Sequence, residues 1–374
     1  MLLFALKTLV SDRGKLLTAL VGVIFSLVLV NIQGGLFFGL IHKASLLVDH
    51  CAADIWIGHR GIDNVDLPTN ISQARINRVR SLPGIAEVEP FIVASAMMSL
   101  TNGEFEPIWI VGSDRTSLLG SAWSVSQGNV GNLRQPAAIT VDEIDDRKLG
   151  NPSLGDVVEI NGHRAHIVAK THNVQSFITT PMVFTTLESA RRYSQIPDGA
   201  CSYYLVRAGE GADLQRLCRA IRSRLPNLDV YTAAEFRKMS QDYWMKRTGI
   251  GVSFGAATLL GLVVGLLMVG QSLYAMALDH LGDYATLKAI GADDGQVGRV
   301  VIVQAVAIAA IGSAVGLAIV VQVQRFWSSP LAPIEIPTVL LSGGVVVVFG
   351  ICLISSILPF LRIRGVDPAT VLQG

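Results

Sequence analysis

The chain is poor in charged residues. Only 16% of its 374 residues are charged, while 51% are hydrophobic, and soluble domains carry nearer a quarter charged residues. The 30 basic and 29 acidic residues almost balance, so nothing indicates the basic face that nucleic-acid binding needs. The composition therefore predicts a membrane protein and argues against a nucleic-acid partner.

Sequence motifs that carry chemistry are also missing. The chain has no G-x-x-x-x-G-K-[ST] phosphate loop, no H-E-x-x-H zinc motif and no G-x-S-x-G nucleophile elbow. His163 and His166 lie three apart on a predicted strand and would point to opposite faces, so they do not predict a metal site. We therefore expect no catalytic residue, no metal and no cofactor on this chain, which would not itself be an enzyme.

Cysteine is scarce, and its spacing carries no signature. None of the four cysteines forms a C-x-x-C or another metal-ligand spacing. Small, buried side chains are the simplest interpretation. A disulfide between Cys201 and Cys218 stays open if their segment is extracytoplasmic. The four positions are Cys51, Cys201, Cys218 and Cys352.

Four apolar runs are long enough to cross a bilayer, which takes about 20 helical residues. No A-x-A cleavage site follows the first run, so we predict an uncleaved signal-anchor helix. No Asp, Glu, Lys or Arg stands in the middle of a run, although an ion-coupled transporter would usually keep one. The energy for any transport should therefore come from elsewhere. The predicted spans are residues 16–42, 248–278, 297–323 and 338–361.

Basic residues in the short flanks predict the orientation of these spans. They occur in the N-terminus, 1–15, in the loop 279–296 and in the tail 362–374. The opposite short loop, 324–337, has a single arginine. We therefore predict that both termini and the 279–296 loop face the cytoplasm. The long insert, 43–247, would lie outside, because large translocated domains largely escape this rule.

The insert is large enough to form a core of its own, and its pattern predicts an α+β fold. Two β-α-β patterns flank a middle section of about residues 112–197. That section contains "LGDVVEINGHRAHIVAKT", whose alternation and central Asn161-Gly162 predict a β-hairpin with a type I′ turn.

Glycines recur at four-residue spacing in the second and third spans. Small residues at this spacing let two helix backbones approach closely. The contact could lie within one chain or across a dimer, and the sequence leaves both open. The positions are Gly251, Gly255, Gly261, Gly265, Gly312 and Gly316.

The loop between spans 2 and 3 is not a simple polar turn. Its stretch "DYATLKAIGADDGQVGRV" carries a helical apolar pattern, then Gly291, then two aspartates. Gly291 would end the helix in a left-handed cap, and Asp293 and Asp294 would suit the start of the next helix. The sequence thus predicts an amphipathic helix in this loop.

This loop and the C-terminal "LPFLRIRGVDPATVLQG" resemble the MacB/FtsX family of ABC transporter permeases. The family typically has an acidic residue and then "LKAIGA" or "LRAIGA" in the loop, with Glu more usual than the Asp283 found here. Gln373 departs from the family's usual Arg. The N-terminal "ALKTLVSDRGKLLTALVGVIFSLVLV" and "ADIWIG" are similar to the DevC-like branch. Tail residues that match in kind are Pro359, Arg362, Arg364, Asp367, Pro368, Val371 and Leu372.

The resemblance implies an α-helical membrane protein with four transmembrane helices. An α+β extracytoplasmic domain would lie between helices 1 and 2, with Porter-like β-α-β units split by a smaller β-rich subdomain. It also implies a homodimer in the bacterial inner membrane, working with a separate ABC ATPase subunit that binds ATP and Mg. DevC-like permeases often act with a periplasmic adaptor and an outer-membrane channel.

The resemblance further implies that the loop helix docks the ATPase. For the whole chain, the resemblance implies a function in the efflux of a lipid or hydrophobic small molecule. FtsX-like mechanotransmission to a periplasmic hydrolase and lipoprotein release are the alternatives, and a membrane enzyme is a rival of a different class. The docking residues would be the anchors Tyr284, Leu287 and Ile290, the rim charges Asp283 and Lys288, and the terminating Gly291.

Overall fold

The computed structural model describes residues 2–330 and 332–365, without the side chains of residues 2, 3 and 6. The chain divides into a helical unit, residues 1–39 with 250–374, and an α+β unit, residues 40–249. The helices are α1 Leu2–Ser11, α2 Arg13–Lys43, α3 Leu46–His50, α4 Ile76–Arg80, α5 Leu187–Ser194, α6 Leu214–Arg224, α7 Ala233–Arg247, α8 Ile250–Asp279, α9 Leu281–Ala289, α10 Asp294–Trp327, α11 Thr338–Ser355 and α12 Ile357–Arg364. The strands are β1 Ile55–His59, β2 Ile71–Ser72, β3 Ile85–Ser99, β4 Phe105–Ser113, β5 Val125–Gly128, β6 Ala138–Asp142, β7 Val157–Ile160, β8 His163–Thr171, β9 Met182–Thr186, β10 Ala200–Cys201, β11 Tyr203–Ala208 and β12 Leu228–Thr232.

Among the described residues, four helical segments are long and apolar enough to cross a membrane: α2, α8, α10, and α11 together with α12. The third begins at Asp294, three residues before the predicted span, because Asp293 caps it. The Gln296 N–H donates to Asp293 Oδ1 (2.6 Å), and the Gln296 side chain accepts from the Asp293 N–H (3.4 Å). This capping box satisfies two otherwise unpaired backbone donors.

The fourth predicted span, 338–361, is two helices rather than one. The helix breaks at Ser356, between α11 and α12. Pro359 has no N–H to donate to the Ser355 carbonyl, and its ring crowds that carbonyl. The second helix also continues to Arg364, so the first three residues of the predicted tail 362–374 are helical. Residues 366–374 lie outside the described part.

Four glycines of the predicted set pack α8 and α10 against α2. A Cβ added at any of them would overlap a side chain of α2, so the close approach requires glycine. Gly255 differs, since it is exposed and a Cβ there would meet nothing within 4 Å; Gly251 is half-buried. For these four, the contact lies within one chain. The pairs are Gly261 with Leu29, Gly265 with Ser26, Gly312 with Val23, and Gly316 with Leu27.

The α+β unit is built around a ten-stranded sheet. Its strands β12, β1, β11 and β3 are antiparallel neighbours in that order, so the two predicted β-α-β units interleave in one sheet. The 15-residue strand β3 then continues past β11 and pairs with both β4 and β7. Strand β3 thereby joins the β-α-β part of the sheet to the β-rich middle section.

The β-rich section contains the hairpin that the sequence predicts. Strands β7 and β8 pair from Ile160 opposite His163. Asn161 and Gly162 both have positive φ, +47° and +81°, as a type I′ turn requires. Across the section, β6 and β9 are joined by threonine hydroxyls: Thr185 Oγ1 donates to the Ala138 carbonyl (2.7 Å).

The four cysteines are free and buried. The open disulfide between Cys201 and Cys218 is therefore not formed, and both thiols belong to the hydrophobic core of the α+β unit. Burial raises the pKa of the Cys201 thiol to about 12. A thiol in such surroundings is inert.

Candidate functional site

The loop between α8 and α10 folds into the short helix α9. Ile290 caps its C-terminus, and Gly291 follows with φ +102°. The Gly291 N–H donates to the Lys288 carbonyl (3.0 Å), and the Ala292 N–H donates to the Leu287 carbonyl (3.0 Å). This pair of bonds is a Schellman motif. The predicted left-handed cap at Gly291 is confirmed.

The inner face of α9 is buried in the helical unit. Tyr284 is 1% exposed, and its ring lies edge-on to Phe4 of α1, with centroids 6.1 Å apart. It belongs to a cluster with Val297 of α10 and Ile363 of α12, and Leu287 packs partly against it. Burial raises the pKa of Tyr284 to about 12. Tyr284, predicted as an aromatic docking anchor, is instead packed inside its own chain, where the ring holds α9 to its neighbours.

Lys288 is likewise used within the chain. Its side chain is 9% exposed, and Nζ lies 2.9 Å from Asp294 Oδ1. The same amine donates to the Arg364 carbonyl (2.8 Å), and Arg364 Nε lies 3.5 Å from Asp294 Oδ2. Lys288 is thus not a rim charge as predicted. It joins the end of α9 to the start of α10 and the end of α12.

The outer face of α9 is free for a partner in the described structure. We use this name for Asp283, Thr286, Ala289 and Ile290, which are all exposed. They follow the helical spacing of three to four residues and so share one side of the helix. Ile290 is 77% exposed. Asp283 Oδ2 lies 2.8 Å from His280 Nδ1, which orients the carboxylate on this surface.

Sequence reasoning missed the neighbours that hold α9. Thr8 of α1 accepts a hydrogen bond from Gln304 Nε2 (2.9 Å), beside Tyr284. Gln304 was the one available signal, because a polar residue inside an apolar span usually has a partner. No spacing rule links it to α1, whose Thr8 lies 296 positions away.

The fold and this loop define a class of protein: a multi-pass membrane protein with a large α+β insert after its first span and a structured loop after its second. Two family models match the chain. "MacB-like periplasmic core domain" matches residues 16–224, and "FtsX-like permease C-terminal" matches residues 255–368. The chain therefore belongs to the FtsX-like permeases with a MacB-like periplasmic core domain, and the predicted fold class is confirmed.

Relatives along the full length are ABC transporter permeases. An uncharacterized ABC transporter permease of Mycobacterium tuberculosis strain H37Rv is 24% identical over 399 residues, with 100% of each chain covered. One from Mycobacterium bovis strain AF2122/97 has the same identity and coverage. The family membership and these relatives support the coarse assignment of this chain as an ABC transporter permease subunit.

Solved structures similar to the chain cover about half of it. The periplasmic region of MacB from Actinobacillus actinomycetemcomitans aligns at 10% identity and a TM-score of 0.40, covering 50% of this chain and 92% of that one. The extracellular domain of the noncanonic ABC-type transporter YknZ from Gram-positive bacteria aligns at 13% identity and a TM-score of 0.36. It covers 48% of this chain and 98% of that one.

Proposed function

We propose that this chain is the membrane subunit of an ABC exporter and that the outer face of α9 docks a separate ATPase subunit. The observation that carries the proposal is the exposure of Ile290 at the end of a capped helix. Ile290 is 77% exposed, and it gives this side of a short, capped helix an apolar point of the kind that docks in a partner's groove. ATP and Mg would then bind on the partner.

The attachment of α9 supports a mechanical role. Tyr284 is packed against α1 and α10, and Lys288 bonds to residues at the ends of α10 and α12. A helix held at several points moves with its neighbours rather than hinging alone. Displacement of α9 by a closing ATPase dimer would therefore be passed to α8, α10 and α12.

The proposal includes the orientation and the partners that the resemblance implies. Both termini and α9 face the cytoplasm, and the α+β unit lies in the periplasm of a bacterium with an inner membrane. Two copies act as a homodimer, with a periplasmic adaptor and an outer-membrane channel. The cargo is a lipid or hydrophobic small molecule, as the resemblance implies.

The test is co-purification of the ATPase with the Ile290→Asp variant. The side chain is exposed, so a charge there should leave folding nearly unchanged. The charge should abolish the apolar anchor at position 290. Loss of such an anchor typically lowers the affinity for the partner by about tenfold or more. We expect the tagged variant to reach the membrane at normal levels while the ABC ATPase, identified by mass spectrometry, is lost from the purified complex.

Leu67→Asp is the matched control, since Leu67 is 51% exposed in the α+β unit. It places the same charge on the opposite side of the membrane, and the ATPase should be retained. Normal co-purification and ATP hydrolysis with Ile290→Asp would refute the docking role of α9. If a periplasmic hydrolase is captured instead of an adaptor, mechanotransmission is the function.

A further inference from the structure

An apolar groove of about 540 Å³ runs between α8 and the broken helix α11–α12. Two causes create it. Gly270 presents no side chain to Ser355 of α11, and the helix is interrupted at Ser356, between α11 and α12 and ahead of Pro359. The walls include Leu267, Ile354 and Leu358, which are all more than half exposed. Because α8 and α11–α12 are membrane spans, hydrocarbon chains surround this groove.

Two polar side chains line the groove, Gln271 and Ser355. Gln271 lines it and is exposed there. Within the described residues, no group forms a hydrogen bond with its amide, and the neighbouring Ser355 hydroxyl is already used, donating to the Leu266 carbonyl (3.1 Å). An amide without a partner in hydrocarbon costs several kcal/mol. The groove is thus incomplete without a ligand that supplies a donor or acceptor.

The depth of Gln271 limits what that group can be. Lys15 forms an ion pair with Asp279, the last residue of α8, which marks the level of the membrane surface. Gln271 lies eight residues earlier, about 12 Å along the helix axis. A hydrocarbon core is about 30 Å thick, so the amide lies within it, below the level of phosphate groups.

We propose that this groove is a binding site for a lipid or lipid-like amphiphile, whose acyl chain fills the apolar walls and whose uncharged ester, amide or hydroxyl group hydrogen-bonds to Gln271. Among the described residues that line the groove, all are uncharged, which favours a neutral polar group over a phosphate. The site is independent of ATPase docking, because α9 contributes no residue to it.

The experiment compares two photoreactive probes with the full chain in lipid nanodiscs. One is a phosphatidylcholine with a diazirine on its acyl chain, and the other is a hydrocarbon with the same diazirine and no polar group. Peptide mapping should show labelling of the groove around Leu358 several-fold above that at Val346, a 70% exposed residue on the outer surface of α11. The phosphatidylcholine should label the groove about three- to tenfold more than the hydrocarbon does, as expected for one hydrogen bond.

Two variants separate the parts of the site. Gly270→Leu should fill the groove and abolish the excess labelling, because a Cβ there meets Ser355 only at 3.7 Å and can be accommodated. Gly350→Leu is the matched control, since it also lies on a span but a Cβ there meets nothing within 4 Å. Gln271→Leu, at an exposed position that should not disturb folding, should make the two probes label the groove equally.

Three results would overturn the proposal. The first is groove labelling no higher than at Val346, which would mean only surrounding bulk lipid. The second is an unchanged preference for phosphatidylcholine in Gln271→Leu. The third is a disulfide between two copies of the Gln271→Cys variant, which would mean that a second chain covers the groove.

Discussion

The burial of Tyr284 makes a sharp prediction about α9. Replacement by alanine removes a ring that is 1% exposed and packs against Phe4 and the α10–α12 cluster. Replacement by phenylalanine keeps the ring and removes only the hydroxyl. The two variants therefore separate packing inside the chain from polar contact with a partner.

The magnitudes follow from these contacts. A buried aromatic residue replaced by alanine loses about 3–5 kcal/mol, which combines lost transfer energy with a residual cavity. Loss of the hydroxyl, which interacts with Gln304, should lower stability by only about 1 kcal/mol. The two variants should therefore differ by about 2–4 kcal/mol, which is readily measured.

The assay is thermal unfolding of the full chain in detergent, followed by tryptophan fluorescence, with ATPase co-purification at a temperature where each variant is folded. We expect Tyr284→Ala to lower Tm by on the order of 10 °C and Tyr284→Phe to lower it by a few degrees at most. Tyr284→Phe should retain the ATPase fully.

The packing role of Tyr284 would be refuted if Tyr284→Ala unfolded at the wild-type temperature but lost the ATPase. That result would place the ring on the docking surface. It would also be refuted if Tyr284→Phe abolished docking without a change in Tm, because the hydroxyl would then face the partner.

Three further predictions test other parts of the structure. Lys288→Met should lower stability by about 1–2 kcal/mol, because a bond to the Arg364 carbonyl and an ion pair are lost, yet leave ATPase binding intact; loss of binding would mean that Lys288 contacts the partner. Gly312→Leu should reduce the folded fraction in membranes by colliding with Val23 of α2, and normal yield would contradict that packing. Burial raises the pKa of Glu89 to about 7, so the folded state binds its proton more tightly than the unfolded state, and the free energy of unfolding should fall by about 1–3 kcal/mol as pH rises from about 4.5 to above 7. Glu89→Gln should flatten that slope, and an unchanged slope would assign it to another group.

Much of the architecture could be predicted from local signals. The four apolar runs, the Asn161-Gly162 turn and the glycine after α9 each depend on residues close in sequence, so the pattern was sufficient. Hydropathy alone began the third span at residue 297, whereas the two aspartates correctly indicated the helix start, with Asp293 as the N-cap of α10. The break in the fourth span had a visible cause in Pro359, but apolar residues on both sides masked it.

The roles of the α9 residues were harder to predict, because an amphipathic pattern shows that one face is apolar but not what covers it. The sequence pattern predicted both Tyr284 and Ile290 as docking anchors, yet one is 1% and the other 77% exposed. The difference depends on α1, which supplies Phe4 and Thr8 from the other end of the chain. Only the tertiary structure brings these residues together.

Docking of an ATPase subunit on the outer face of α9 is tested most directly by site-specific photo-crosslinking from position 290 in living cells. p-Benzoylphenylalanine in place of Ile290 would sit on the outer face of α9, where the isoleucine is 77% exposed, without disturbing the packing of the helix. Docking on α9 predicts a crosslink to an ABC ATPase subunit, which is lost when the same group replaces Leu67 in the α+β unit. Crosslinks from position 290 only to lipid or to a periplasmic protein would contradict it.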